Sequence, residues 1–329
     1  MIDDLSLISR TGDAFFKITN LSSENLLPPE TVALLKKYEG KFLPDQRTKI
    51  LKYYGLFITS FLCSSYKKLY GKTLSEAERK RATLFGILTP VGDDLFDMDK
   101  LDHQAIRQIT FAPEKYTATT FSAWVAKEIQ GFLLSDVPHK DAYIKASKAV
   151  LDIQEETVKQ TNASITQREI ERITYTKGAV SVIIYHQCLD DAADEQMQEV
   201  LFLIGSLYQL GNDIFDLYKD VRDNIYTLVN TCENYEALQE RFLDRIRLQN
   251  QKIMDLPYAK KDKEAFCIVM NTINARSMVA LDQFIQFEKQ HKSKINWWQQ
   301  ERKAMIVDME KASNFLKWLY YIWKLPGLL

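Results

Sequence analysis

The sequence predicts an all-α protein, on three observations. Its 329 residues include only 11 glycines and 8 prolines, too few for the many turns of an all-β chain. Apolar residues recur at intervals of three and four: Leu51, Tyr54, Ile58, Phe61 and Leu62 form one stripe, and Val200, Leu203, Ile204, Leu207 and Leu210 another. Runs of alternating polar and apolar residues, the mark of half-buried strands, are hard to find.

The elements follow in order. Residues 1–45 read as a peripheral segment with a helix start at Pro28-Pro29-Glu30. Ser75 with Glu78, and Thr166 with Glu169, have the spacing of capping boxes and predict two more helix starts. The run LFGILTPVG (84–92) continues into DDLFD (93–97), and VLFLIGSLYQL (200–210) continues into GNDIFDLYKD (211–220). Between them RITYTKGAVSV (172–182) carries Gly178 inside a helical pattern. Glycine there costs about 1 kcal/mol relative to alanine, which points to a kink or a close contact. No fixed-period repeat, low-complexity tract or Gly/Ser linker divides the chain. It reads as one domain over 1–329, a bundle of roughly ten or more helices.

Composition bounds the function. Hydrophobic residues at 46% and charged residues at 26% are the balance of a soluble globular protein with a full core. The 43 basic and 44 acidic residues nearly cancel, so neither nucleic acid nor an acidic membrane surface is expected as a partner, and local clusters must carry any charge-driven function. Arg79, Lys80 and Arg81 read as a solvated helix face. MIDDLSLISR lacks the basic-then-apolar pattern of an export signal, and no apolar run reaches the length of a membrane span. A cytoplasmic protein is expected. Cys63, Cys188, Cys232 and Cys267 are far apart, without a CxxC pair, and read as reduced, packed thiols. His103, His139, His186 and His291 form no zinc pair, so neither a zinc enzyme nor a Ser-His-Asp enzyme is supported.

The two acidic stretches hold the chemistry. Neighbouring carboxylates repel and resist burial unless something cationic holds them. On a helix, Asp93 and Asp97 lie about 40° apart with Asp94 about 100° from Asp93, whereas Asp99 and Asp102 point elsewhere. Asn212, Asp216 and Asp220 rise along one groove within about 80°, with Lys219 beside them. Mg²⁺ takes one or two carboxylates and completes its octahedron with phosphate oxygens and water. Two such clusters suit metal ions that clamp a diphosphate.

DDLFD at 93–97 and NDIFDLYKD at 212–220 resemble the aspartate-rich and NSE/DTE motifs of class I terpene synthases. In the second motif, Asn/Asp-Asp-x-x-Ser/Thr-x-x-Lys/Arg-Asp/Glu, the first, fifth and ninth positions bind metal, which here are Asn212, Asp216 and Asp220. Lys219 matches the basic position, and RDNIYTLVN (222–230) is similar to the family's continuation. The resemblance covers residues 50–320 in layout and rests on these motifs and the helix break. It implies the all-α isoprenoid-synthase fold with a central apolar pocket, about three Mg²⁺ ions with bound diphosphate, and a homodimer. It implies that Gly178 marks a helix break offering an effector carbonyl. The sensor position four residues before it is Thr174, with Arg172 the nearest arginine. TKGA is also similar to the Lys-Thr-Gly of prenyl diphosphate synthases, in which case Lys177 reaches phosphate. The family's Arg-Tyr pair near the C-terminus has no counterpart beyond Lys317, Tyr320 and Tyr321.

The implied chemistry is ionisation of farnesyl or geranylgeranyl diphosphate and cyclisation of the cation in a dry pocket. Phe61, Phe85, Phe96, Tyr208 and Phe215 are candidates to line it, Tyr208 lying one turn before Asn212. Two alternatives stand beside this reading. Asp216, where cyclases usually carry Ser or Thr, leans toward the chain-elongating prenyl diphosphate synthases, although Tyr70-Gly71-Lys72-Thr73 lacks the arginine of their second diphosphate site. A helical binding or scaffold protein is the other. All-α nucleotide pyrophosphohydrolases need paired ExxE patterns, and QEETVKQ (154–160) supplies only one half.

Overall fold

Ser75 and Glu78 close the box that their spacing predicts. The Glu78 amide donates to Ser75 Oγ at 3.2 Å and the Ser75 amide to Glu78 Oε2 at 2.8 Å. They begin a helix running Glu76–Asp97. The structure is a computed structural model that describes residues 32–33, 36–37, 41–291 and 295–325, apart from the side chains at 52, 53, 55–57, 60 and 97. The helix start expected at Pro28-Pro29-Glu30 and most of segment 1–45 lie outside the described residues. The described residues form helices and no strand. None of these helices is long and apolar enough to cross a membrane. The chain divides into two compact units.

The first unit comprises Met1–Leu151 with Ile184–Ala192. Its helices are α1 (Pro44–Thr48), α2 (Lys49–Cys63), α3 (Ser64–Leu69), α4 (Glu76–Asp97), α5 (His103–Phe111), α6 (Phe121–Asp136) and most of α7 (Lys140–Glu156). α1, α2 and α3 follow one another without interruption, and α2 is wound as a π-helix, closing its backbone from i to i+5. The wider winding moves the predicted stripe: Phe61 and Leu62 reach the core, while Leu51, Tyr54 and Ile58 are half-buried. α4 packs on α2 and α6. A Cβ at Gly86 would stand 3.2 Å from the Tyr54 carbonyl oxygen, so the α2–α4 crossing is close there.

A charged network is buried at the start of α4. Lys67, on α3, donates to Glu78 at 2.7 Å and to Asp191. Arg81 donates to the Cys188 carbonyl at 2.8 Å, to Asp136 Oδ2 at 3.2 Å and to Asp190. Only 4% of Arg81 is exposed, which corrects its placement on a solvated face: three positions after Glu78, it shares the inward side of α4. His186 meets Tyr70 Oη at 2.6 Å, and burial pushes its imidazole down to about 4.

The second unit comprises Asp152–Ile183 with Ala193–Leu329. It holds most of α8 (Gln167–His186), then α9 (Glu195–Phe215), α10 (Leu217–Arg222), α11 (Tyr235–Asp255), α12 (Lys260–His291), α13 (Arg302–Met305) and α14 (Ala312–Lys324). α8 begins at the predicted Thr166–Glu169 box, where the Glu169 amide donates to Thr166 Oγ1 at 3.2 Å. The whole predicted stripe of α9, from Val200 to Leu210, is buried. α12 is the axis against which α9, α11 and α14 pack. Beside it, Trp297 Nε1 donates to Tyr235 Oη at 2.5 Å, and Tyr235 donates to the Val229 carbonyl at 2.6 Å. All four cysteines are buried free thiols. Burial pushes Cys188 and Cys267 up to about 12 and Cys232 up to about 11.

Candidate functional site

α9 is a long apolar helix that ends in acid. Asp194 caps its start, accepting from the Met197 amide at 2.8 Å. Its other end falls at Asp216, where the backbone turns out of helical geometry (φ −88°, ψ 6°) and passes directly into α10. Backbone bonds still run four residues back across the bend: Asp216 N–H to the Asn212 carbonyl at 2.8 Å, and Asp220 N–H to the Asp216 carbonyl at 2.9 Å. The three predicted ligands therefore keep their helical spacing through a change of direction. Asn212 and Asp216 are exposed, and Asp220 is buried.

A fourth residue, Asp213, completes the cluster. It is buried, with Gln209 Nε2 donating to Oδ1 at 2.8 Å and Thr174 Oγ1 donating to Oδ2 at 3.2 Å. Burial pushes its carboxyl up to about 6, with the Gln209 bond, Lys177 and Thr174 pulling the other way. Asp220 stands higher, at about 8. Burial is the first cause and repulsion from Asp213 and Asp216 the next, while Lys219 and Lys177 offset them only in part. A buried carboxyl raised by acidic neighbours in this way favours a cation beside it. Sequence reading missed Asp213 as a member of the cluster. Its signal was its place three residues after Leu210, a carboxylate continuing the buried stripe of α9.

α8 meets α9 through two glycines. A Cβ on Gly178 would overlap the Gly205 carbonyl and Gln209 Cβ, and a Cβ on Gly205 would overlap the Gly178 carbonyl. α8 runs unbroken from Gln167 to His186, so the expected helix break at Gly178 is corrected to a close helix crossing, with the Gly178 carbonyl packed against Gly205. The crossing positions Thr174 and half-buried Lys177, which share a side of α8 with Gly178. Arg172 lies about 160° around the helix from Thr174, and its guanidinium pairs with Glu156. The residue at the family's sensor position, Thr174, bonds Asp213 instead. α12 approaches on another side, less tightly, since a Cβ on Gly211 would stand 2.9 Å from Ser277 Oγ. Next to Ser277, the Arg276 guanidinium lies 5.0 Å from the Phe215 ring centre. Burial raises the Tyr208 phenol, and Arg276 opposes that rise. Arg276 is thus a cation near Tyr208 and Phe215 that no motif signals.

The other predicted cluster belongs to the first unit. Asp93 and Asp94 are half-buried near the end of α4, and the Asp97 side chain lies outside the described residues. Asp94 accepts from Gln46 Nε2, and Gln46 is itself held by the Leu43 amide at 2.8 Å. The 100° offset of Asp94 from Asp93 thus turns it toward α1. Asp99 accepts from Thr120, and Asp102 caps α5 by accepting from the Ala105 amide at 2.7 Å. Of the predicted pocket residues, Phe61 and Phe85 are buried in this unit. Phe85 stands edge-on to Tyr185, its ring centre 4.7 Å away. Phe96 is half-buried against His103. Tyr208 and Phe215 belong to the second unit and are half-buried. An open hollow of about 660 Å³ in the first unit is lined by Lys37, Lys41, Phe121 and Trp124, none of them a predicted pocket residue.

Among the described residues, no three His, Cys, Asp or Glu side chains form a metal-holding group on their own. Mg²⁺ does not require one, because phosphate oxygens and water fill most of its octahedron. The hard oxygens of Asn212, Asp216 and Asp220, beside a buried carboxylate short of positive charge, fit that demand. Comparison with family models, with curated proteins and with solved structures returns no match.

Proposed function

We propose that the chain is a Mg²⁺-dependent class I terpene synthase of the all-α isoprenoid-synthase type. In this reading it ionises a linear prenyl diphosphate, farnesyl or geranylgeranyl, and cyclises the carbocation as diphosphate leaves. The observation that carries the reading is the cluster at the end of α9: burial raises the carboxyls of Asp213 and Asp220, their acidic neighbours add to it, and Lys177 and Lys219 are near enough to oppose the rise. Asn212, Asp216 and Asp220 would hold magnesium, which when bound neutralises the leaving diphosphate. Lys177, Lys219 and Arg276 add charge-assisted donors to diphosphate oxygens. Asp213, tied to Gln209 and Thr174, holds the α8 face and the motif in register. Tyr208 and Phe215 offer aromatic faces to the cation, each worth about 0.5–2 kcal/mol. The resemblance of DDLFD to the family's aspartate-rich motif extends a metal-binding role to Asp93, Asp94 and Asp97. A central apolar pocket, a homodimeric state and a cytoplasmic location belong to the same reading.

Chain elongation is the second reading, favoured by aspartate at position 216, where cyclases usually carry Ser or Thr. Incubating the protein and Mg²⁺ with geranyl, farnesyl or geranylgeranyl diphosphate, each alone and then with isopentenyl diphosphate, separates the two. Cyclic hydrocarbon or alcohol from one diphosphate alone is the expected result. Longer linear diphosphates formed only with isopentenyl diphosphate would replace cyclisation with elongation.

A further inference from the structure

α14 has two apolar faces, and only one of them is covered. Trp318, Tyr321 and Ile322 are buried. Trp318 Nε1 donates to the Thr272 carbonyl of α12 at 2.9 Å, and Tyr321 Oη donates to Asp282 Oδ1 at 2.9 Å. On the other side Leu316, Tyr320 and Trp323 are 64%, 49% and 61% exposed. At 100° per residue these three fall within about 60° of one another, roughly 160° from Trp318. A lone exposed leucine is ordinary, but a row at i, i+4 and i+7 with two aromatic members is an apolar stripe that calls for a partner.

Along α14 itself, from the residue that precedes it, the charge has one sign. Residues 311–329 contain Lys311, Lys317 and Lys324 and no Asp or Glu, in a chain whose charges otherwise nearly balance. Lys317 and Lys324 lie about 20° apart along one edge of the row. The Lys324 ammonium is 5.5 Å from the Tyr320 ring centre. Lys317 reaches Asp282 only at 4.0 Å. After α14 the sequence continues as Leu-Pro-Gly-Leu-Leu, apolar and without charge.

Against the expectation from the balanced net charge, we infer that this face of α14, a local basic and apolar cluster, docks on an anionic lipid surface. Tryptophan and tyrosine place their rings at headgroup depth, and lysines flanking an apolar row extend their ammonium groups to lipid phosphates and carboxylates. A second copy of the chain would bring the same lysines toward one another, whereas a negative leaflet attracts them. A lipid surface also accepts an irregular apolar row without a complementary groove.

The test is co-sedimentation of the full chain with phosphatidylcholine vesicles, with and without phosphatidylserine, at low and high salt. Binding to the serine-containing vesicles is expected to exceed binding to plain ones by at least about tenfold and to weaken as salt rises. Leu316→Glu/Trp323→Glu abolishes it, and Lys317→Gln/Lys324→Gln lowers it by about tenfold or more. Leu316, Trp323 and Lys324 are exposed and Lys317 is half-buried, so both variants are expected to keep a melting temperature close to that of the wild type, and the single Leu316→Glu and Lys324→Gln changes serve if a double one does not. No binding to either vesicle overturns the inference, as does equal binding to both. Self-association in lipid-free solution that the glutamate variant removes, with no vesicle binding, would make the face a contact between copies instead.

Discussion

Replacing Asp220 by asparagine removes a charge that the fold resists, while keeping the shape of the side chain. In the folded chain burial, followed by Asp213 and Asp216, holds the Asp220 carboxyl at about 8, against an ordinary value of 3.8. A raised carboxyl contributes its full stability below its unfolded value. That contribution is lost as pH climbs through the window from about 4 to about 8. At about 1.4 kcal/mol for each tenfold change in protonation, the loss has a ceiling of about 6 kcal/mol. Relaxation and water around a real buried charge leave a few kcal/mol. Asparagine cannot ionise, so Asp220→Asn gains on the wild type as pH rises. With EDTA present, the gap in melting temperature should widen by about 4–8 °C between pH 5 and pH 8.5. Added Mg²⁺ should then raise the wild type at pH 8.5 and leave the variant unmoved, because the metal binds the ionised form. Parallel melting curves against pH for the two proteins would refute the reasoning, as would equal stabilisation by Mg²⁺.

Two further outcomes follow from the geometry. Gly178→Ala drives a methyl into the Gly205 backbone and should cost about 3 kcal/mol in urea unfolding, with Gly205→Ala similar and the double variant less than additive. Arg172→Gln should leave kcat/KM within about twofold, because its guanidinium serves Glu156, whereas Lys177→Gln should lower it by about tenfold or more.

Helix existence was legible in the sequence where a local rule decides it. The Ser75–Glu78 and Thr166–Glu169 boxes need only three residues of spacing, and both close as their spacing predicts. The α9 stripe needs only the 3.6-residue period, and it is buried throughout. The π winding of α2 left no mark in the pattern, because three- and four-residue intervals suit either winding. Long-range partners were less legible. The buried guanidinium of Arg81 depends on Asp136, Asp190 and Cys188, at least 55 residues away. A glycine in a helical pattern predicts a kink or a close contact, and at Gly178 the contact is with a glycine 27 residues on, which no local rule identifies. In the candidate site, the spacing of Asn212, Asp216 and Asp220 was readable by helical phase. The burial of Asp213 and the approach of Arg276 depend on how α8 and α12 pack against α9.

The central claim is the proposal that the two acidic motifs, DDLFD and Asn212/Asp216/Asp220, are each needed for departure of diphosphate from a prenyl chain. It is tested most directly by measuring Mg²⁺-dependent release of diphosphate from farnesyl and geranylgeranyl diphosphate, each supplied alone, by the wild type, Asn212→Ala and Asp93→Ala. The account predicts release by the wild type on one of the two substrates and a loss of about a hundredfold or more in each variant. Release that persists unchanged in both variants would contradict it, as would no release from either substrate by a wild type that Mg²⁺ stabilises.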